Sequence, residues 1–188
     1  GVVEMGGTPM LLPGYASAKG KGLSAVEQFQ AAAQGKLKAL FVVGEDPLLT
    51  LPRGLVEEGL ASLEFVVVQD MFLSETAERA NVFLPALSFA ESDGTFTNCE
   101  GRVQRLRRAV EPPGGLRWGG EVFADVASFM GKEMPVVSPP EVFGEIAETN
   151  PVYKGMTFDP NDTQRRADRG GDLLKKAAFG VIKAEREQ

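Results

Sequence analysis

The chain has 188 residues, of which 43% are hydrophobic, and it carries a formal net charge of −6 at pH 7, so its length suits one domain or slightly more. This acidic balance argues against nucleic acid or an anionic membrane surface as the main partner, because both favour clustered cations. With no histidine and a single cysteine, the chain excludes a His-containing catalytic triad, a His-ligated zinc, an internal disulfide and an iron–sulfur cluster bound by this chain alone.

The N-terminal stretch lacks the pattern of a regular element. Residues 1–22 contain six glycines and two prolines with few periodic apolar residues, which predicts an irregular segment. Ser24 and Glu27 then have the spacing of a capping box, in which the hydroxyl and the carboxylate satisfy unpaired amides at a helix start. The apolar spacing that follows predicts a helix over residues 25–34, which ends before Gly35.

Residues 23–93 have the pattern of a half-Rossmann α/β unit. Two uninterrupted apolar runs, residues 39–43 and 64–68, predict strands that are covered on both faces, as in a parallel sheet. A helix over residues 53–62 connects the two strands in a right-handed crossover.

Prolines bound the loop after the first strand and end the third strand of this unit. Pro47 and Pro52 predict that the loop after the first strand is not helical. A short helix over residues 75–79 leads to a third short strand over residues 81–84, which Pro85 ends. The sequence therefore predicts three parallel strands with alternating helices.

The pattern changes beyond Gly94. Residues 94–157 are predicted to form a hairpin followed by helices. Residues 95–98 and 102–106 alternate in polarity around a turn at Glu100, which is typical of two paired extended strands.

The C-terminal part of the sequence is predicted to be helical and then polar. Apolar spacing predicts helices at about residues 119–130 and 139–148, and Ser138 is placed to cap the second. Residues 158–188 have the composition of a polar linker followed by a helix over residues 172–186. That last helix either docks on a partner subunit or frays at the surface, and the sequence leaves both open.

Two polar loops follow the first two predicted strands. Residues 44–47 follow the first strand, and Gln69 and Asp70 follow the second. Because the carboxyl ends of neighbouring parallel strands adjoin, these loops are expected to form a crevice of carboxylates and backbone amides, which suits a guanine, a ribose or a phosphate. The alternative is structural: Asp46 caps or turns the loop before Pro47, and Asp70 caps the segment that starts near Met71.

Several phrases of the sequence, in order, resemble one enzyme family. They are ALFVVGEDP, FVVVQDMFLSETAERANVFLPALSFAESDGTFTN and EGRVQRLRRAVEPPG. They are similar to the large molybdopterin oxidoreductases: formate dehydrogenase catalytic subunits, and the large iron–sulfur subunit of NADH–quinone oxidoreductase, respiratory complex I. The likeness runs from about Met5 to about Asp159. It implies a Rossmann-like three-layer α/β fragment with a short parallel sheet, as in domains 1–3 of the formate dehydrogenase fold, followed by helices.

The resemblance also implies a set of cofactor contacts. In this family a G-x-N-P loop and the x-Asp pair after the next strand contact the guanosine-dinucleotide part of the pterin cofactor, and these positions correspond to Asp46, Gln69 and Asp70. They bind cofactor only if the protein retains the pterin dinucleotide. Asp46 replaces the usual asparagine, and a carboxylate only accepts hydrogen bonds and would repel a nearby pyrophosphate. No catalytic residue and no metal ligand is predicted within the chain.

Ser74 and a cluster of arginines each have both a structural and a binding interpretation. Ser74 begins a phrase that resembles the family's T-E-T-A, where its hydroxyl either caps a helix or meets a phosphate. Cys99 is given no ligand role and is expected to be buried or half-buried. Four arginines form the only basic cluster and either make ion pairs or contact a partner subunit: Arg102, Arg105, Arg107 and Arg108.

The resemblance implies that the chain is a C-terminal fragment of a large redox subunit. The main interpretation is a part of the large iron–sulfur subunit of an NADH–quinone oxidoreductase, a scaffold in electron transfer from NADH to quinone. The alternative is a part of a formate dehydrogenase-like catalytic subunit that binds molybdopterin guanine dinucleotide. A free-standing nucleotide-binding module is disfavoured, because the chain lacks a G-x-G-x-x-G loop.

Cofactors, partners and location follow from the same resemblance. No cofactor is expected within the chain itself, whereas the parent protein is expected to hold iron–sulfur clusters and, in the alternative interpretation, the pterin dinucleotide. The partners would be other subunits of a membrane-associated electron-transfer complex. The sequence shows neither a membrane span nor a signal peptide, so we expect a cytoplasmic location in the peripheral arm of that complex.

Overall fold

The computed structural model describes residues 2–98, 100–135 and 138–158 and the backbone of residues 163–165. In chain order its elements are β1 (Leu11–Leu12), β2 (Ala16–Ser17), α1 (Ala25–Ala33), β3 (Ala39–Val43), α2 (Pro47–Thr50), α3 (Arg53–Ser62), β4 (Phe65–Asp70), α4 (Glu75–Glu78), β5 (Val82–Pro85), β6 (Gly94–Thr97), β7 (Arg102–Leu106), α5 (Gly119–Phe129), α6 (Pro139–Thr149) and β8 (Thr163–Arg165).

The described residues form two compact units that interleave along the sequence. The parallel-sheet unit contains residues 23–92 and 108–135. The hairpin unit contains the described residues of three stretches, 2–22, 93–107 and 138 onward. The division into four consecutive segments that the sequence suggested stays a prediction.

The parallel-sheet unit has the predicted half-Rossmann order. Its strands lie in the order β3-β4-β5, and both neighbouring pairs are parallel. Helices α1 and α3 pack against each other, and the predicted α/β class is confirmed. Three residues of the apolar runs, Val42, Val66 and Val68, are buried in the core of this unit. The predicted cover on both faces is wrong for β3, because Phe41 is 38% and Val43 is 53% exposed. The helices supply the other buried core members, which are Phe29, Leu48, Val56, Leu60 and Ala77.

Two boundaries in this unit correct the sequence prediction. Pro47 begins the short helix α2 rather than a non-helical loop, because a proline at the first helical position loses no intrahelical hydrogen bond and its fixed φ suits the helix. Strand β4 continues past the predicted end at residue 68 and pairs with β5 as far as Asp70. Gln69 and Asp70 are therefore the last residues of a strand rather than part of a turn.

The hairpin unit contains a three-stranded antiparallel sheet. Strands β6 and β7 form the predicted hairpin, and β8 pairs with the other edge of β7. Strand β8 lies in the segment predicted to be a polar linker. The sequence does not predict this strand, because its residues lack apolar alternation and it joins the sheet through backbone pairing. Likewise, β1 and β2 pair within the predicted irregular segment. The small apolar core of this unit contains Val103, Phe143 and Tyr153.

A buried polar cluster joins the N-terminal segment to the rest of the hairpin unit. Glu4 is 4% exposed, and its backbone carbonyl accepts hydrogen bonds from Asn150 Nδ2 at 2.9 Å and from the Gly14 amide at 2.8 Å. The Glu4 carboxylate accepts hydrogen bonds from the hydroxyls of Tyr15 and Tyr153. Buried polar groups are costly unless they are paired, so this cluster fixes residues that lie far apart in sequence.

The remaining helices agree with the sequence within a residue at each end. Helices α5 and α6 match the two predicted spans, and the Ser138 amide donates to the Glu141 carboxylate at the start of α6. Cys99 and the predicted helix over residues 172–186 lie outside the described residues. Among the residues that the structure describes, no helix has the length and apolar character needed to cross a membrane.

Candidate functional site

The carboxyl ends of β3 and β4 adjoin, as the sequence predicts. Val43 is the register partner of Gln69, and the Gly44 amide donates a hydrogen bond to the Gln69 carbonyl at 2.8 Å. Gly44 has a φ of 62°, a conformation that glycine adopts without steric cost. This turn lets the chain leave β3 and continue into helix α2 beside the end of β4.

Asp46 is held by contacts from two helices. It occupies the N-cap position of α2, where its backbone carbonyl accepts from the amides of Leu49 and Thr50. Its side chain does not cap that helix. Instead, Asp46 Oδ1 accepts a hydrogen bond from Thr76 Oγ1 in α4, and Thr76 Oγ1 in turn accepts from the Leu48 amide at 3.2 Å. Asp46 therefore has a structural contact, but its side chain binds a fully buried threonine of α4 rather than capping α2.

Gln69 carries an unpaired buried amide. Its side chain is 2% exposed, and within the described part of the chain no atom accepts a hydrogen bond from Nε2. A Cβ built on Gly119, the first residue of α5, would lie 3.8 Å from this nitrogen. A buried donor without an acceptor lowers the stability of the folded protein by about 1–3 kcal/mol. A hydrogen-bond acceptor at this end of the sheet would remove that penalty at Gln69.

Asp70 makes a local turn. Its Oδ1 accepts from the Met71 amide at 2.6 Å and from the Phe72 amide at 3.4 Å, which is the structural alternative that the sequence left open. Among the described residues no hydrogen bond joins the side chains of Asp46, Gln69 and Asp70 to one another. They share the carboxyl edge of one sheet, and each keeps its own set of partners.

The hydroxyl at the start of α4 acts as a cap. Ser74 Oγ accepts from the Ala77 amide at 3.2 Å. The next residue, Glu75, is bound by the guanidinium groups of Arg53 and Arg79, and these hydrogen bonds hold its pKa below the ordinary value. Thr76 was not assigned a site role from the sequence. The signal that could have found it is a second hydroxyl two residues after the cap, on the face that α4 buries.

The basic cluster is largely paired with carboxylates. Arg102 lies 3.0 Å from Glu100, and Arg108 lies 3.2 Å from Glu111. Arg105 donates to Asp93 Oδ1 at 2.9 Å and places its guanidinium 3.6 Å from the centre of the Phe158 ring. The remaining member, Arg107, has no ion pair among the described residues. These contacts favour the ion-pair interpretation over a continuous basic docking surface.

The edge formed by β3 and β4 contains both hydrogen-bond acceptors and a hydrogen-bond donor. It presents carboxylate acceptors at Asp46 and Asp70, and a buried amide donor at Gln69. A set of this kind is suited to a group that carries both donors and acceptors, such as a nucleobase or a ribose. Within the described residues, no group of three or more His, Cys, Asp or Glu side chains is arranged to hold a metal ion.

The chain is similar to proteins of one known family. A family model described as molybdopterin oxidoreductase matches residues 11–129. The chain is 38% identical over 179 residues to the F420-dependent formate dehydrogenase 2 subunit alpha of Methanococcus maripaludis, which covers 85% of this chain and 26% of that subunit. It is also 38% identical over 178 residues to the putative formate dehydrogenase YrhE of Bacillus subtilis, which covers 85% of this chain and 18% of that protein.

The chain thus spans about a quarter or less of the length of these curated relatives. The solved structure of acetylene hydratase from Pelobacter acetylenicus has a TM-score of 0.60 to this chain, at 24% identity, over 72% of this chain and 20% of the hydratase. That similarity concerns the fold alone. The family match and the relatives together confirm the resemblance seen in the sequence, and the chain belongs to the molybdopterin oxidoreductase family.

Proposed function

We propose that this chain is the dinucleotide-binding part of a formate dehydrogenase-like large subunit. Three relatives that each cover about 85% of the chain are named as formate dehydrogenases, which supports the alternative interpretation of the sequence. The main interpretation, the large iron–sulfur subunit of an NADH–quinone oxidoreductase, receives no specific support from these relatives. The formate dehydrogenase interpretation therefore replaces it.

The unpaired amide of Gln69 is the observation that carries this proposal. A buried donor that lacks an acceptor is costly in a protein that binds nothing there, whereas a carbonyl or ring acceptor of a guanine would satisfy it. The Asp46 and Asp70 carboxylates at the same edge supply acceptors for base or ribose donors. These residues fit the guanosine end of a molybdopterin guanine dinucleotide.

The role of this chain's residues is binding and orientation. When bound, the cofactor supplies a molybdenum or tungsten centre that accepts two electrons from formate. In our proposal Gln69, Asp46 and Asp70 hold the far, nucleotide end of that cofactor. They fix its position without taking part in the electron transfer.

Other properties of the parent protein remain proposals. We propose that it acts with partner subunits, because three of the relatives are named as alpha subunits. Iron–sulfur clusters in the parent protein are an expectation from the family resemblance, and we keep them as a proposal. Membership of a membrane-associated complex and a cytoplasmic location are expectations from the sequence, and we keep them as proposals.

Cofactor analysis of the full-length protein tests the proposed function. The protein is purified from its own host and assayed for molybdenum and tungsten by elemental analysis, and for pterin by fluorescence after oxidation. We expect stoichiometric metal and pterin, together with formate oxidation by an artificial electron acceptor. Iron without metal-bound pterin would overturn the proposal and favour the NADH–quinone oxidoreductase interpretation again.

A pair of glutamine variants tests the site itself. Gln69→Leu removes the buried amide at nearly unchanged volume, and we expect the pterin content per protein to fall several-fold because the nucleotide end loses a hydrogen bond. Gln30→Leu changes an exposed glutamine in helix α1 and serves as the matched control. Equal pterin content in the two variants would exclude Gln69 from the cofactor site.

A further inference from the structure

The Thr76 hydroxyl has a fixed hydrogen-bond direction. Thr76 is fully buried, and its oxygen accepts from the Leu48 amide at 3.2 Å. The hydroxyl has a single proton, and the acceptor for that proton is Asp46 Oδ1. The threonine therefore links α2 to α4 and leaves Asp46 Oδ1 occupied.

The second oxygen of Asp46 is the atom left for a ligand. Among the described residues no group donates a hydrogen bond to Asp46 Oδ2, and the residue is half-buried rather than enclosed. An ionised carboxylate has acceptors only. Position 46 therefore presents a negatively charged acceptor at the carboxyl edge of the sheet.

We infer that Thr76 is a positioning residue: it holds Asp46 through Oδ1, so that Oδ2 accepts from a donor group of the bound nucleotide rather than facing a phosphate. This inference rests on the proposed nucleotide-binding function. The donor is a base N–H or a ribose hydroxyl. A phosphate oxygen is an acceptor with negative charge, so it would be repelled by Asp46.

The same geometry predicts what an asparagine at position 46 would do. The Thr76 proton still requires an oxygen acceptor, so the asparagine would turn its Oδ1 towards Thr76. Its Nδ2 group would then face outward as a donor. Asp46→Asn would thus replace the outward acceptor of the loop with a donor and leave the contact with Thr76 intact.

Nucleotide binding by the cofactor-free full-length protein tests the inference. GDP, ADP and 2′,3′-dideoxy-GDP are titrated by calorimetry, because ADP lacks the guanine N1–H and amino donors and dideoxy-GDP lacks the ribose hydroxyls. We expect GDP to bind about tenfold more tightly than at least one analogue, as for a hydrogen bond to a charged group. The weaker analogue identifies which donor meets Asp46.

Two threonine variants separate positioning from folding. In Thr76→Val we expect the GDP-to-analogue affinity ratio to fall several-fold, whereas Thr76→Ser restores the hydroxyl and keeps the ratio. Thr149→Val is the control, because the exposed Thr149 hydroxyl donates only to the Glu145 carbonyl in its own helix. Thermal unfolding of each variant checks that the protein is folded.

The outcomes distinguish the inference from the proposed function. If the unmodified protein does not bind GDP, the nucleotide site and the inference both fall. If GDP binds but Thr76→Val keeps the full affinity ratio, the inference alone is overturned. Asp46→Asn provides a second variant: we expect the GDP-to-analogue affinity ratio to fall because the acceptor is replaced by a donor, and an unchanged ratio would overturn the inference.

Discussion

Gly59 of helix α3 packs closely against Phe29 of helix α1. A Cβ built there would lie 2.9 Å from Phe29 Cδ1 and 3.0 Å from the Phe29 carbonyl oxygen. We expect Gly59→Ala to lower the free energy of unfolding by about 1–3 kcal/mol, because the backbone of α1 must shift. Denaturant unfolding followed by circular dichroism measures this change.

Gly54 provides the matched control in the same helix. It is exposed, and a Cβ there would meet nothing within 4 Å. Gly54→Ala should raise the free energy of unfolding by up to about 1 kcal/mol through helix propensity alone. Stabilisation by both substitutions would contradict the close packing at Gly59.

Ionisation of Tyr15 is expected to lower the stability of the hairpin unit at alkaline pH. Burial, and then the neighbouring Tyr153, raise the pKa of the Tyr15 phenol above its ordinary value of 10.0. The folded state therefore favours the neutral phenol, whose contribution is complete below pH 10 and is lost as the pH rises through the raised pKa. Unfolding temperatures from pH 8 to 11 should fall more steeply for the unmodified protein than for Tyr15→Phe, and parallel curves would contradict this prediction.

At the scale of an element, the short helix α4 depends on its cap. Ser74→Ala removes the acceptor for the Ala77 amide and should lower the free energy of unfolding by about 0.5–2 kcal/mol. Ser62→Ala, at the end of α3, removes an exposed hydroxyl that donates to the Glu58 carbonyl. This control should change the free energy by less than about 0.5 kcal/mol, and equal effects would mean that the cap is not what stabilises α4.

Sequence patterns located the elements around the site better than they located the contacts within it. The apolar runs of β3 and β4 were visible in the sequence, although only β4 is largely buried, and β3 leaves Phe41 and Val43 exposed. The partners of Thr76, by contrast, lie 28 and 30 residues earlier in the chain, and no local pattern records them. The enclosure of the Gln69 amide depends on the start of α5 at Gly119, about fifty residues later, so its lack of a partner could be seen only in three dimensions.

At the scale of the whole molecule, each unit has its own core and should respond to mutation by itself. Asn150→Asp keeps the acceptor for the Val152 amide and removes the donor to the Glu4 carbonyl. The Glu4 carbonyl would then be buried beside a carboxylate, which is unfavourable. Hydrogen exchange should speed up across residues 4–17, while strands β3 and β4 keep their rates.

Asn98→Asp is the control for that experiment. Asn98 Oδ1 only accepts, from the amides of Glu100 and Arg102, and an aspartate can accept the same two hydrogen bonds. Exchange in residues 4–17 should stay unchanged in this variant. Faster exchange of β3 and β4 in the Asn150 variant would show that the two cores are not independent.

The interleaving of the two units has a consequence for the order of folding during synthesis. All three strands of the parallel sheet lie within residues 39–85, so this sheet can close soon after that stretch leaves the ribosome. The hairpin unit waits longer, because its Glu4 and Asn150 are separated by 146 positions and contacts of such long range form slowly. The contacts of Glu4 with Asn150 and Tyr153 therefore form only after the chain has been synthesised past α6.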